Sequence, residues 1–312
     1  MRPNSAVDTE IISNTEIGVG AWAWGDRFYW NYGGSYNKDT VGKMFHASLE
    51  NGINFFDTAE VYGQGRSEQI LGELIRKAKK PVMIATKFFP YPWRINERSI
   101  EKALDKSLER LQLDKVYLYQ IHWPRSLISI EKMMRALLQI VDSGKSITVG
   151  VSNFNLAQTK IASEILESNG IPLASNQLEY HLLNRQIENN GLLDFCNEKK
   201  IRVIAYSPLA QGLLSGKYSI DSPPPGIRSS RYSNQLKILN PLISVMKEIS
   251  ISQGKSISQV ALNWLICKKT LPIPGAKNLD QLISNNNSAG WRLSTSAMSI
   301  LDKASDAKTT DS

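Results

Sequence analysis

Cysteine and histidine are scarce in this 312-residue chain, with two of the first and three of the second. Cys196 and Cys267 stand far apart and His46, His122 and His181 lie in separate segments, so no disulfide framework and no metal site is expected. Both thiols read as reduced core residues. Long apolar runs are missing too. A membrane-spanning helix needs about 20 consecutive apolar residues, whereas Val116 to Trp123 is short and flanked by polar residues. The opening MRPNSAVDTE has one arginine and no apolar run behind it, so it does not read as a secretory signal. A soluble, cytoplasmic protein with no membrane partner is expected. Charge is not concentrated either: 37 basic and 29 acidic residues give +8, spread along the whole chain. The densest cluster, Arg76, Lys77, Lys79 and Lys80, closes a helical pattern, where cations complement terminal carbonyls. Nucleic acid is therefore not the expected partner, no protein partner is implied, and a small anionic ligand suits the positive balance.

What is present is ordinary globular composition, 42% hydrophobic and 21% charged, arranged as short β-branched runs alternating with amphipathic stretches of helical length. Strands are predicted at Ile17 to Ala21, Ile53 to Asp57, Val82 to Lys87, Val116 to His122, Thr148 to Ser152, Ala174 to Leu178, Arg202 to Ser207 and Thr270 to Pro272. Helices fill the gaps, the first from about Thr40 with Asp39 as N-cap, another over Glu188 to Lys199, and later ones near Leu242 to Ser252 and Ser258 to Lys268. Repeated βα units of this number imply an α/β protein, a single-domain (β/α)8 TIM barrel over residues 1–312; a doubly wound open sheet is the main alternative. The glycines separate the two. Gly18-Val-Gly20-Ala-Trp-Ala-Trp-Gly25 lacks the spacing of a dinucleotide-binding open sheet. Lys217 to Asn234, with Pro223, Pro224, Pro225 and Gly226, reads as a long loop of lid type, and residues 1–10 and 303–312 as flexible tails.

Unusual polar residues stand at the C-terminal end of one strand after another, the face where barrel enzymes assemble their sites. Strand two ends in Asp57-Thr-Ala-Glu60-Val-Tyr62-Gly63, strand three in Thr86-Lys87, strand four in Gln120-Ile-His122-Trp123-Pro124, strand five in Ser152-Asn153, strand six in Asn176-Gln177 and strand seven in Tyr206-Ser207. Singly, each has a plain structural reading. Asp57 suits a turn, Tyr62 and His122 suit packing, and Lys87 faces either water or a partnered interior. Their recurrence at successive strand ends favours a site.

These segments resemble the aldo-keto reductases over nearly the whole chain. Asp57-Thr-Ala-Glu-Val-Tyr62-Gly63, Ile84-Ala-Thr86-Lys87 and Gln120-Ile-His122-Trp123-Pro124 look like the family's catalytic segments. The resemblance implies a tetrad of Asp57, Tyr62, Lys87 and His122 working on NADPH/NADP+, without a metal. Tyr62 would donate the proton, with Lys87 stabilising its phenolate, Asp57 holding the lysine charged and His122 orienting the carbonyl oxygen. Implied cofactor contacts are Gly20, Ala21 and Trp22 after strand one, Ser152, Asn153 and Gln177 at the nicotinamide amide, and Tyr206 as a stacking face. Ser207, Leu209, Gln211, Gly212, Leu213 and Lys217 belong to a segment resembling the pyrophosphate loop, and Gly275 to the segment after strand eight. Lys277, Gln281 and Asn285, on one face of a helix starting near Asn278, suit a 2′-phosphate and favour NADPH over NADH. Ala21 stands where many members carry threonine, so one hydroxyl contact is absent. Trp24, Trp30, Trp93 and Trp123 are expected to wall the substrate pocket. The loop after strand one and Ala289-Gly-Trp291-Arg-Leu293 are similar to plastid and cyanobacterial members related to pyridoxal reductase.

The expected function is NADPH-dependent reduction of an aldehyde or ketone, the partner being a small carbonyl compound. Two rivals use the same barrel. One is a regulatory module that senses NADP(H), as in potassium-channel beta subunits; the other is a lyase or isomerase in which Lys87 forms a Schiff base.

Overall fold

A computed structural model describes residues 12, 14–78, 80–224 and 233–306. Eight strands form one parallel sheet in sequence order: β1 (Val19–Gly20), β2 (Phe55–Asp57), β3 (Met83–Phe88), β4 (Val116–Ile121), β5 (Ser146–Ser152), β6 (Ser175–Glu179), β7 (Arg202–Tyr206) and β8 (Leu271–Pro272). The sheet closes on itself where Gly18 N–H donates to Pro272 O at 3.0 Å and Gly20 N–H to Pro274 O at 3.1 Å. Gly20 is required at this seam, because a Cβ there would stand 2.7 Å from the Ile273 carbonyl oxygen. The barrel expectation holds, and the open sheet is set aside.

Side chains alternate along each strand, so the barrel has two apolar environments. Phe55, Ala85, Leu118, Ala174, Ile204 and Leu271 pack together as the filling of the lumen. Their neighbours Phe56, Ile84, Tyr119, Val149, Val151 and Val203 join the larger core between sheet and helices. Register then sets the upper lumen: Asp57 pairs with Ala85, Lys87 with Gln120, Gln120 with Gly150 and Ser152 with Gln177.

The surrounding helices are α1 (Lys38–Glu50), α2 (Arg66–Ile75), α3 (Arg98–Leu111), α4 (Ile130–Asp142), α5 (Leu156–Glu167), α6 (Gln186–Asn189), α7 (Leu192–Glu198), α8 (Ser233–Gln253), α9 (Ile257–Cys267), α10 (Leu279–Asn286) and α11 (Thr295–Asp306). Four differences from expectation have physical reasons. Asn37, not Asp39, caps α1, accepting the Thr40 N–H at 3.1 Å. The helix expected over Glu188 to Lys199 breaks into α6 and α7 at Gly191, whose φ is +75°. Helix α8 begins well before Leu242 and runs through Pro241, so Ser233 and Asn234 are helical and not part of the expected lid. Residues 303–306 are also not a free tail, since Arg185 hydrogen-bonds the Asp302 carbonyl, Ser305 and Asp306 and fastens α11 to the loop after β6. Residues 1–10, 225–232 of the expected lid, and 307–312 of the expected tail lie outside the described residues. No described helix is long and apolar enough to cross a membrane.

Candidate active site

Two residues beyond the apolar lumen layer the same strands turn polar. Lys87 Nζ donates to Asp57 Oδ1 at 2.5 Å, to the Thr58 carbonyl oxygen at 2.7 Å and to the Tyr62 hydroxyl at 3.3 Å. The ammonium is fully buried and its carboxylate partner is 2% exposed. The second carboxylate oxygen of Asp57 accepts from Gln177 Nε2 at 2.8 Å and from Gln120 Nε2 at 3.5 Å. Both polar ends of the ion pair are thus satisfied from across the barrel, which an enclosed charge requires. Tyr62 reaches the lysine from a tight turn, Tyr62–Gly65, that follows β2. Gly63 makes that turn: its φ is +55°, and a Cβ there would meet the Gly25 carbonyl oxygen at 2.8 Å.

His122 follows β4 and stands edge-on to Tyr62, ring centroids 5.9 Å apart. Its backbone N–H donates to the Phe88 carbonyl at 2.9 Å, and its Nδ1 is buried with no hydrogen-bond partner among the described residues. The four residues expected to act together therefore meet at one rim. A clamp that sequence reasoning missed holds that rim: Arg94 NH1 donates to Glu60 Oε1 at 2.5 Å, NH2 to Oε2 at 2.8 Å, and NH1 again to the Phe89 carbonyl at 2.7 Å. It ties the loop carrying Tyr62 to the loop after β3.

Electrostatics give these groups distinct states. Burial pushes the Tyr62 phenol above its ordinary value; Lys87 opposes and Asp57 reinforces that rise. Lys87 does favour the phenolate, as expected, but desolvation outweighs the nearby cation and the net direction is upward. For Lys87 itself burial acts downward, but Asp57 and Tyr62 together carry it above the usual lysine value, so it is an ammonium. Burial, and then the Lys87 charge, hold His122 well below the ordinary histidine value, which leaves a neutral imidazole near pH 7.

Beside this group lies a second polar set. Tyr206 OH donates to Asn153 Oδ1 at 3.0 Å, Asn153 Nδ2 donates to the His122 carbonyl at 3.1 Å and to Ser152 Oγ at 3.0 Å, and Ser152 Oγ donates to the Gln177 carbonyl at 2.9 Å. The loop after β7 is bent by left-handed residues, with φ of 49° at Ser207, 53° at Gln211 and 100° at Gly212. At the start of α10, Asn278 caps the helix and Gln281 Oε1 accepts the Lys277 N–H at 3.0 Å. Asn285 Nδ2 reaches the Gly275 carbonyl at 3.4 Å. An aromatic face, amide and hydroxyl groups, a bent loop and a cation thus follow one another around the rim, and this donor set fits a phosphorylated dinucleotide.

The family model for the aldo/keto reductase family matches residues 16–306. The chain belongs to the aldo/keto reductase family. Among relatives, this aldo/keto reductase is 38% identical over 306 residues to the chloroplastic pyridoxal reductase of Arabidopsis thaliana, covering 94% of this chain and 84% of that one. Among solved structures it resembles the glycerol dehydrogenase of Gluconobacter oxydans, with TM-score 0.80 and 27% identity over 93% of this chain and 90% of that one. It also resembles an aldo/keto reductase of Klebsiella pneumoniae solved with NADP and acetate, with TM-score 0.72 and 26% identity over 92% and 90% of the two chains. The family consists of oxidoreductases that use NADP(H), and this enzyme is one of them.

Several residues of the aldo/keto reductase do not stand where they were expected. Trp24 is fully buried against Phe56 and belongs to the core, not to a substrate pocket. Gly20 and Ala21 are enclosed by the barrel seam, Ala21 N–H donating to the Asp57 carbonyl at 2.8 Å, and the Leu213 side chain is core. Gln177, expected at the nicotinamide amide, turns its Nε2 to Asp57. Trp22 and Trp30 pack edge-on with centroids 5.3 Å apart, but their other neighbours are not the expected ones: Trp22 lies 6.1 Å from the Tyr62 ring, whereas Trp30 lies under the Lys277 ammonium. Trp123 stacks beside His122, and Trp93, 72% exposed, stacks on Tyr91 at the outer rim. Leu209 packs against the core and Lys217 lies over the Tyr218 ring. A cavity of about 550 Å³ opens away from all these groups, beside Asn51 and Ile53 at the opposite end of β2, and contains none of them. Among the described residues no cluster could hold a metal ion.

Proposed function

We propose that the enzyme reduces an aldehyde or ketone to the alcohol with NADPH, Tyr62 serving as general acid. The observation that carries the reading is the enclosed Lys87 ammonium, hydrogen-bonded at once to Asp57, Thr58 and the Tyr62 hydroxyl. Bound NADPH supplies a hydride. Negative charge then develops on the carbonyl oxygen, and Tyr62 gives its proton there. A raised pKa keeps the phenol protonated across the neutral range, so the acid is always loaded; Lys87 stabilises the phenolate left behind. Asp57, pinned by Gln120 and Gln177, keeps Lys87 charged and aimed. Neutral His122 offers a ring N–H to the carbonyl oxygen. Tyr206 would give the nicotinamide a face, Ser152 and Asn153 would hold its amide, the loop from Ser207 to Lys217 would cradle the pyrophosphate, Gly275 would border the cofactor after β8, and Lys277, Gln281 and Asn285 would receive the 2′-phosphate.

Trp22, Trp93 and Trp123 leave an aromatic approach suited to a flat carbonyl substrate, and pyridoxal, named in the Arabidopsis relative, is the first compound to try. The two free cysteines fit the reducing cytoplasmic setting in which this reading places the reaction. Schiff-base chemistry at Lys87 fits less well, because that step needs a neutral amine and this one is held as an ammonium. The sensor module has no observation of its own in its favour. Mixing the protein with NADPH and a panel of aldehydes, pyridoxal included, is the test. Loss of nicotinamide absorbance with at least one of them is expected; tight NADPH binding with no consumption across the panel favours the sensor and overturns the reductase.

A further inference from the structure

The loop between β1 and α1 is long for a barrel connection and is built as a rigid object. Asp26 Oδ1 accepts the Tyr29 N–H at 2.8 Å, and an isolated bridge joins Tyr32 to Tyr36. The Tyr36 hydroxyl donates to the Ala23 carbonyl, and Trp22 stacks on Tyr29 with centroids 5.3 Å apart. Two aromatic residues of this loop then reach the loops after β7 and β8, which the closed barrel brings next to β1. The Tyr29 hydroxyl donates to Gln211 Oε1 in the loop after β7. Lys277 Nζ lies 4.8 Å from the centroid of Trp30 and 5.9 Å from that of Tyr36, which is itself buried.

A lysine side chain has about 2 kcal/mol of rotamer freedom to lose when it is fixed on a ligand. Packing the ammonium against two aromatic faces removes part of that freedom beforehand without neutralising the charge. We propose that Trp30, backed by Tyr36, is a positioning residue for cofactor choice: it holds the Lys277 ammonium beside the first turn of α10, so that the β1 loop sets the preference for NADPH over NADH. Trp30 acts through Lys277 and contributes to specificity by pre-ordering it. This inference rests on the reading of Lys277, Gln281 and Asn285 as the receiver of the 2′-phosphate. It moves Trp30 from the substrate pocket to the cofactor side.

The test is calorimetric titration of NADP+ and of NAD+ into wild type, Trp30→Leu, Trp30→Phe, Lys277→Met and the Trp30→Leu/Lys277→Met double variant, with thermal melting to confirm that each is folded. Wild type is expected to bind NADP+ more tightly. Trp30→Leu is expected to raise the NADP+ Kd roughly fivefold, the size of an ordinary cation–π contact, and to leave the NAD+ Kd unmoved. Trp30→Phe is expected to recover part of the loss. In the Lys277→Met background the Trp30 change is expected to have no further effect on NADP+, because the residue that it positions is gone. Equal weakening of both cofactors, an unchanged or tighter NADP+ Kd, or a Trp30 effect that persists without Lys277 overturns the proposal. If Trp30→Leu does not fold, Trp30→Phe decides: a weakened NADP+ Kd with NAD+ unmoved supports the proposal, and no change in the ratio overturns it. Wild type showing no preference between the cofactors is a different result, which removes the 2′-phosphate reading itself.

Discussion

The lower and upper lumen of the barrel are built from the same strands two residues apart, yet they do opposite things. Phe55, Ala85 and Leu118 form a dry apolar plug. Asp57, Lys87 and Gln120, the next inward-facing residues on β2, β3 and β4, form a charged, hydrogen-bonded layer above it. The contrast teaches that the plug supports the chemistry from below without taking part in it. By excluding water beneath the ion pair it strengthens the Lys87 to Asp57 attraction.

Paired substitutions break this comparison most sharply. Lys87→Met leaves the buried Asp57 carboxylate uncompensated and is expected to cost about 3 to 5 kcal/mol of stability, as well as most of the turnover. Phe55→Ala removes a ring from the plug and is expected to cost about 3 kcal/mol in urea unfolding, while leaving the polar layer assembled and carbonyl reduction measurable at low temperature. If the two variants lost activity alike at equal fractions folded, the division between plug and site would be wrong.

A smaller effect sharpens it through pH. His122 is half-buried while its Nδ1 is enclosed, and its pKa is depressed in the folded state. The unfolded chain therefore takes up a proton first as pH falls. Stability contributed by the neutral imidazole is complete above the ordinary histidine value of about 6.5 and is lost as pH drops below it toward the folded value. The slope for this one group is bounded at about 1.4 kcal/mol per pH unit. Urea unfolding at pH 7, 6 and 5 is expected to show the decline in wild type and a shallower one in His122→Gln; parallel slopes would mean that the imidazole is not desolvated.

Much of this was legible in the sequence, for a simple reason. Alternation along a parallel strand places every second residue in the lumen, so polar residues at successive strand ends had to converge, and Asp57, Lys87 and His122 do. What was illegible depends on distances across the barrel. Nothing local says that Gln120 and Gln177 turn to Asp57, or that Glu60 and Arg94, far apart in the chain, clamp two loops together. Aromatic residues in a non-periodic loop are as hard to place, and so neither the burial of Trp24 in the core nor the contacts of Trp22 with Tyr62 and Trp30 with Lys277 could be read from the sequence. Asn37 and Asp39 are both good caps two residues apart, and only the backbone at Asn37 decided between them.

The central claim is that the Tyr62 phenol delivers the proton to a carbonyl oxygen. Rapid-mixing turnover of Tyr62→Phe with saturating NADPH and a reactive aldehyde, alongside its NADP+ Kd, tests this most directly. The account predicts a rate lowered at least about 100-fold with the Kd unchanged, since only a transition-state interaction is removed. Reduction within a few-fold of wild type by that variant would contradict it.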